Sequence, residues 1–207
     1  MEERKISEKE SLEIITAMIE RTKERYIGDG NIMIMWGCLV AAVSLAVWIL
    51  LATTHNGVWN WLWFLIPIVG GIATPIMARR QQRYIGARTY SDTIMSRLWT
   101  IVGLSSIAAI LVCLGFQIFG GVDAWMAMLA YTLVCVPVAE VMQGLVIKEN
   151  SLVCGGCFGL ATGIITVCCM AGGVPLKAYW FMPLFIASFV AMMIIPGLIL
   201  NAKSKRK

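Results

Sequence analysis

Charge is scarce in this sequence. Only 14% of its 207 residues are Asp, Glu, Lys or Arg, against about a quarter in a soluble domain. Histidine is scarcer still, since His55 stands alone. One histidine excludes the paired-histidine zinc sites of HExxH enzymes and argues against intramembrane Ser–His hydrolysis. The GxxxxGK[ST] pattern is missing, which excludes a phosphate loop. Gly103-Leu104-Ser105-Ser106 lacks the glycine that must follow a nucleophile serine. No segment shows the alternation over about ten residues that marks a membrane β-strand. Nothing in the sequence supports nucleic-acid binding. Residues 1–30 are charged and hold no short apolar core before a small-residue cleavage site, so the first spanning helix is expected to act as an uncleaved signal.

Outer loops without cysteine exclude an extracellular disulfide framework. The seven cysteines (Cys38, Cys113, Cys135, Cys154, Cys157, Cys168 and Cys169) all fall inside apolar stretches. Outward-facing N-x-[ST] acceptors are also missing, in keeping with a bacterial origin.

What the chain has in abundance is apolar surface. Hydrophobic residues make up 59%, and the mean hydropathy is +0.79. They gather into six stretches, 32–52, 58–78, 98–120, 124–147, 152–173 and 179–200. Roughly 20 apolar residues in a helix cover a hydrocarbon layer of about 30 Å. Backbone amides inside that layer must be satisfied within the segment, so each stretch is expected to be helical. The expected fold is an all-α integral membrane protein with six transmembrane helices.

Polarity of the loops sets the expected topology. If all six stretches span, every one of the 17 Lys and Arg except Lys177 falls on one side. Positive residues accumulate in the cytoplasm, which puts both termini inside. The outer loops 53–57, 121–123 and 174–178 are short, which predicts three antiparallel hairpins, 1–2, 3–4 and 5–6. Trp59, Trp61, Trp63, Trp125, Tyr179 and Trp180 cluster at the outer ends, and Trp36 and Trp99 mark inner ends. Such aromatic belts sit at the two interfaces. The second, fourth and sixth spans share an outer Trp, internal proline (Pro67 and Pro75; Pro137; Pro183 and Pro196) and a basic end. A triplicated hairpin and general membrane rules both account for this plan. The prolines predict kinks wherever neighbours do not re-satisfy the freed carbonyls.

Residues 1–31 read as a cytoplasmic amphipathic arm. Ser7-Glu8-Lys9-Glu10 has the form of a capping box, and Leu12, Ile15, Ile19, Thr22 and Tyr26 repeat at helical spacing. Gly28-Asp29-Gly30 ends that helix. The stripe over 8–27 can pack on the cytoplasmic ends of the bundle, self-associate, or dock a cytoplasmic or membrane protein. Arg79, Arg80, Arg83 and Arg88 hold the largest inner loop in the cytoplasm, and they could also contact anionic lipid or an acidic partner. Thr89-Tyr90-Ser91-Asp92 resembles a helix start, so the third helix is expected to begin before its apolar stretch. Residues 201–207 form a basic cytoplasmic tail.

Glu140 is the only charged residue inside any span. A carboxylate at that depth costs at least a few kcal/mol, and no Lys or Arg lies in another span to pair with it. Pro137 sits about one turn before it and frees backbone acceptors, Gln143 lies one turn after, and Thr132 lies two turns before. This polar face is expected to point into the bundle. It is either a proton, cation or ligand site or a structural interhelical hydrogen bond.

Cys154-Gly155-Gly156-Cys157 has the spacing of a redox or metal pair. It falls at the inner end of the fifth span, where thiols stay reduced, and no second CxxC or nearby histidine completes a zinc site. No metal or other cofactor is therefore expected. Gly155, Gly159 and Gly163 recur every four residues and predict a close helix–helix approach, within one chain or at a homo-oligomer seam. Cys168 and Cys169 are adjacent and point about 100° apart, so they read as small apolar fillers.

The run Glu10-Ser11-Leu12-Glu13-Ile14-Ile15-Thr16-Ala17-Met18-Ile19, followed by Trp36 and by Trp59-Asn60-Trp61-Leu62-Trp63, resembles a group of uncharacterised polytopic inner-membrane proteins of Bacteroides-type bacteria. The resemblance covers the arm and first two spans. It implies the bacterial cytoplasmic membrane and carries no activity.

Sparse polar machinery makes the leading expectation a non-enzymatic scaffold, accessory or regulatory subunit with no catalytic residue. It would engage a partner through the arm and the 79–97 loop. The alternative is a small secondary transporter or channel built on Glu140 and Gln143.

Overall fold

A computed structural model describes residues 30–85 and 90–205. The arm over 8–27 and Arg88 lie outside them, as does the side chain of Arg83. The described residues are helical, and six of the helices are long and apolar enough to cross a membrane. In chain order they are α1 (Asn31–Thr54), a 3-10 helix (Gly57–Phe64) leading into α2 (Leu65–Ile85), α3 (Tyr90–Gly120), α4 (Trp125–Ile147) and α5 (Asn150–Ala171). The sixth span is compound: α6 (Ala178–Phe189), a π turn (Val190–Ile194) and α7 (Ile195–Lys205).

The second span departs from the regular helix expected over 58–78. The Asn56 side chain accepts a hydrogen bond from the Val58 N–H and starts a 3-10 segment that runs to Phe64. Pro67 explains where the α-helix can begin. It lacks the N–H that would close an α turn onto Trp63, so it fits only the first turn of α2. The third helix starts at Tyr90, ahead of its apolar stretch.

Burial divides the spans into two classes. The most apolar window of α1 is 28% buried, those of α4 and α5 39% each, and that of the sixth span 44%. The second and third spans are buried by only 6%. Four helices therefore make the core, and α2 and α3 lean on it. Each is tied by indole chemistry: Trp36 Nε1 donates to Thr74 Oγ1 at 2.9 Å, and Trp99 Nε1 donates to Gln143 Oε1 at 2.7 Å. Tyr131 adds a 2.5 Å bond from its hydroxyl to Ser105 Oγ.

Pairing within the core follows the glycines. The most extensive pair is α4 with α5 rather than α5 with the sixth span. These two helices are joined through Lys148 and Glu149 alone, with Lys148 in the left-handed region at φ 56°. A side chain at Gly144 would collide with Leu152 Cβ, 2.8 Å from an ideal Cβ. At Gly156 it would lie 2.6 Å from Val141 Cγ2, and at Gly163 it would strike the Leu133 carbonyl. That carbonyl is the one Pro137 leaves without its helical donor. Gly159 meets Pro137 and Met192, and Gly155 meets the Ala191 carbonyl at 2.6 Å. The glycine face of α5 is thus occupied within the chain, by α4 on one side and the π turn on the other.

Candidate functional site

The site is built from α4. Leu133, Val136, Pro137, Glu140 and Gly144 recur at three- and four-residue spacing and are all buried, so they line one face. Leu133 and Val136 join the main apolar core with Val40 of α1, Phe181, Phe185 and Phe189 of α6, and Met192 and Met193 of the π turn. The three phenylalanines form a column, with ring centroids 6.0 and 5.0 Å apart. Trp63 closes on Phe185 edge-to-face at 6.0 Å. This column fills the half of the bundle nearer Trp125 and Tyr179.

Glu140 lies one turn beyond Val136, toward the opposite end. Its exposure is 0%. Neither carboxyl oxygen has a hydrogen-bond partner among the described residues. A second, smaller apolar cluster lies between it and the near end: Met33 of α1, Leu152 of α5 and Leu200 of α7, with Ile147 packed against them. Along α4 the carboxyl therefore falls at a level between two apolar plugs, the phenylalanine column and this smaller cluster.

Over the smaller plug lies a polar strap, and α7 supplies it. Asn201 Oδ1 accepts from the Gly30 N–H at 2.7 Å, and Asn201 Nδ2 donates to Asn31 Oδ1 at 2.7 Å. Lys203 Nζ reaches both oxygens of Glu149, at 2.8 and 2.7 Å, and Ser151 Oγ donates to Glu149 at 3.0 Å. Burial pushes the Glu149 carboxyl up. The Lys203 and Ser151 hydrogen bonds and the Lys203 charge outweigh it and hold the group below the usual carboxylate range. Gly30 and Gly197 bring α1 and α7 into backbone contact at this end.

The sixth span changes pitch beside the site. The Ile195 N–H bonds the Val190 carbonyl, five residues back. Pro196 follows with no N–H for Ala191 and Met192, five and four residues back. π turns and proline breaks are where helices bend and where functional sites gather. Gly37 of α1 packs directly on this turn, since a Cβ there would lie 2.6 Å from Ile194 Cγ1.

The other sequence candidates scatter. Gln143 serves Trp99, and Thr132 bonds its own helix through the Met128 carbonyl at 2.7 Å. Neither is a partner of Glu140. Arg79 and Arg80 are exposed at the end of α2. Cys154 and Cys157 are free and exposed on the outside of α5, and no group of metal-ligating side chains forms among the described residues. An apolar crevice lined by Trp48, Leu51, Ala52, Tyr179 and Met182 opens at the tryptophan-rich end, away from Glu140. The π turn and the Glu149–Lys203 strap were not read from sequence. Pro196-Gly197 inside an apolar run signalled the first. Fifty-four residues separate the strap's partners, and no local pattern joins them.

In comparisons with known proteins, no family model matches the chain, and no curated protein or solved structure matches it either.

Proposed function

We propose that this chain is a small multi-pass protein of the bacterial cytoplasmic membrane whose buried carboxyl, Glu140, binds and releases a proton or small cation, as in a compact secondary transporter or channel. Both termini face the cytoplasm in this reading, three short outer loops connect the spans, and no catalytic residue or cofactor takes part. The observation that carries it is a carboxyl of zero exposure with no partner for either oxygen among the described residues. Such a group must pair, neutralise or weaken the fold. An ionisable side chain kept at membrane depth is by default a functional-site candidate. Freed carbonyls and a pitch change in the adjoining span give the surroundings a means to respond to its charge.

Isotope-edited infrared spectroscopy of Glu140 in nanodiscs tests the reading. A carboxyl band that is absent from Glu140→Gln, titrates with pH and exchanges with solvent deuterium supports it. A band that neither titrates nor exchanges makes Glu140 a packing residue and removes the reading.

The second reading, a non-enzymatic scaffold or accessory subunit, draws on the two spans buried by only 6%. Deleting residues 1–27 would then lose a co-purifying protein, and an unchanged pull-down would count against it.

A further inference from the structure

We infer that Glu140 exchanges a proton, rather than a metal cation, through the end of the bundle that carries Glu149 and Lys203, and that α7 is the gate. The inference rests on the proposed carboxyl site and names its occupant and its route.

The occupant follows from what surrounds the carboxyl. A bound Na⁺ or K⁺ needs several oxygen ligands at once, as hard cations do. Neither Glu140 oxygen has a hydrogen-bond partner among the described residues, and the Leu133 and Ala191 carbonyls that the prolines free pack against Gly163 and Gly155 instead. Buried hydroxyls of the core are committed elsewhere: Ser188 bonds the Leu184 carbonyl at 2.8 Å, and Ser44 donates to the Val40 carbonyl at 2.6 Å. Among the described residues, none of the other titratable groups on the packed elements is a hydrogen-bond partner of Glu140. Cys38, Cys154 and Cys157 are exposed, Tyr131 bonds Ser105, and Cys135 is half-buried. Glu149 and Lys203 satisfy one another at the end of the bundle. A proton needs no ligand but the carboxyl itself, and it leaves a neutral group that suits a fully buried position.

The route follows from the unequal plugs. Toward the tryptophan-rich end lie the phenylalanine column and most of α4. Toward the other end, Lys148 is eight residues away, about 12 Å of helix. There Met33, Leu152 and Leu200 form the buried plug, and Leu200 rides on α7. The π turn and Pro196 give α7 a hinge, and Asn201 and Lys203 latch it. Swinging α7 outward would lift Leu200 and admit water to Glu140.

The test uses a membrane-impermeant, water-soluble carbodiimide, which captures a protonated carboxyl, with glycine ethyl ester as the trapping amine. Sealed vesicles are captured through a tag placed after Lys207, and compared with the population of opposite orientation. Modification of Glu140 is read by peptide mass. The expected result is modification only from the face carrying Lys203. It should run about two- to fivefold faster in Lys203→Met, the factor that a surface ion pair supplies, and return to the wild-type rate in the charge swap Glu149→Lys with Lys203→Glu. Na⁺ and K⁺ should leave the rate unchanged. Equal modification from both faces, or a latch variant without effect, overturns the route. Protection by Na⁺ or K⁺ overturns the proton while leaving the proposed carboxyl site standing. No modification from either face, even by the membrane-soluble dicyclohexylcarbodiimide, overturns the exchange altogether, and the infrared titration then decides whether the site itself survives.

Discussion

At the scale of single residues, Glu140 and the α5 glycines are held for opposite reasons. Glu140 opposes the fold, because an unpartnered buried polar group costs about 1–3 kcal/mol. Glu140→Met is expected to raise the unfolding midpoint in detergent, followed by circular dichroism, while abolishing carbodiimide modification at this position. A lower midpoint would mean that the carboxyl has a stabilising partner. Gly163 supports the fold, because its missing side chain lets α5 lie against the Leu133 carbonyl. Gly163→Val is expected to destabilise by about 1–3 kcal/mol, the cost of overpacking. Unfolding in mixed micelles measures it, and no change would show that α4 and α5 can part freely. Glu140 was legible in the sequence, because a lone charge in a span is conspicuous. Its isolation was not, because Gln143 sits at helical spacing from it and yet turns to Trp99. Spacing fixes the face of a helix but not which neighbouring helix claims each side chain.

At the scale of elements, the latch on α7 titrates. The Glu149 carboxyl lies below its ordinary range, so its contribution is complete above the unfolded-state value and is lost as pH falls through the folded one. Wild type and Glu149→Gln should therefore differ in thermal midpoint at neutral pH and converge in acid. The difference should also shrink with added salt, because Lys203 is 48% exposed. A difference that grows toward acid would refute the assignment. The peripheral helices offer a second measurement. Tyr131→Phe removes the bond to Ser105 and is expected to loosen α3 by about 0.6 kcal/mol, typical of hydrogen bonds between membrane helices. Hydrogen exchange along α3 would report it, and unchanged exchange would mean that the Trp99–Gln143 and Trp125–Gln117 bonds suffice to hold the helix. The six spans could be read from length and hydropathy. The 3-10 start of the second span and the π turn could not, because both arise where a proline removes one N–H and packing decides how the backbone recovers.

At the scale of the whole molecule, helix order in sequence and helix order in the core differ. Short outer loops suggested pairs 1–2, 3–4 and 5–6, and each of these pairs is in contact, but the most extensive pairing is α4 with α5. Loop length limits which helices can be neighbours. Glycine placement and the two-residue Lys148–Glu149 connection decide how close they come. The peripheral position of α2 and α3 was equally hidden, because their apolar content resembles that of the core spans and lipid tolerates an exposed leucine as well as a neighbour does.

The bond between Gly30 and Asn201, 171 residues apart, has a consequence for how the protein is made. α1 finds its final neighbours in the sixth span. During synthesis α1 must wait in the bilayer with Met33, Val40 and Val47 facing lipid until the sixth span arrives to cover them. A nascent chain halted before Ala178 would hold α4 and α5 paired and α1 unclaimed, with no closed core for a membrane quality-control protease to respect. Maturation is therefore set by the arrival of the sixth span, and a stop codon before Ala178 is expected to erase the protein rather than shorten it.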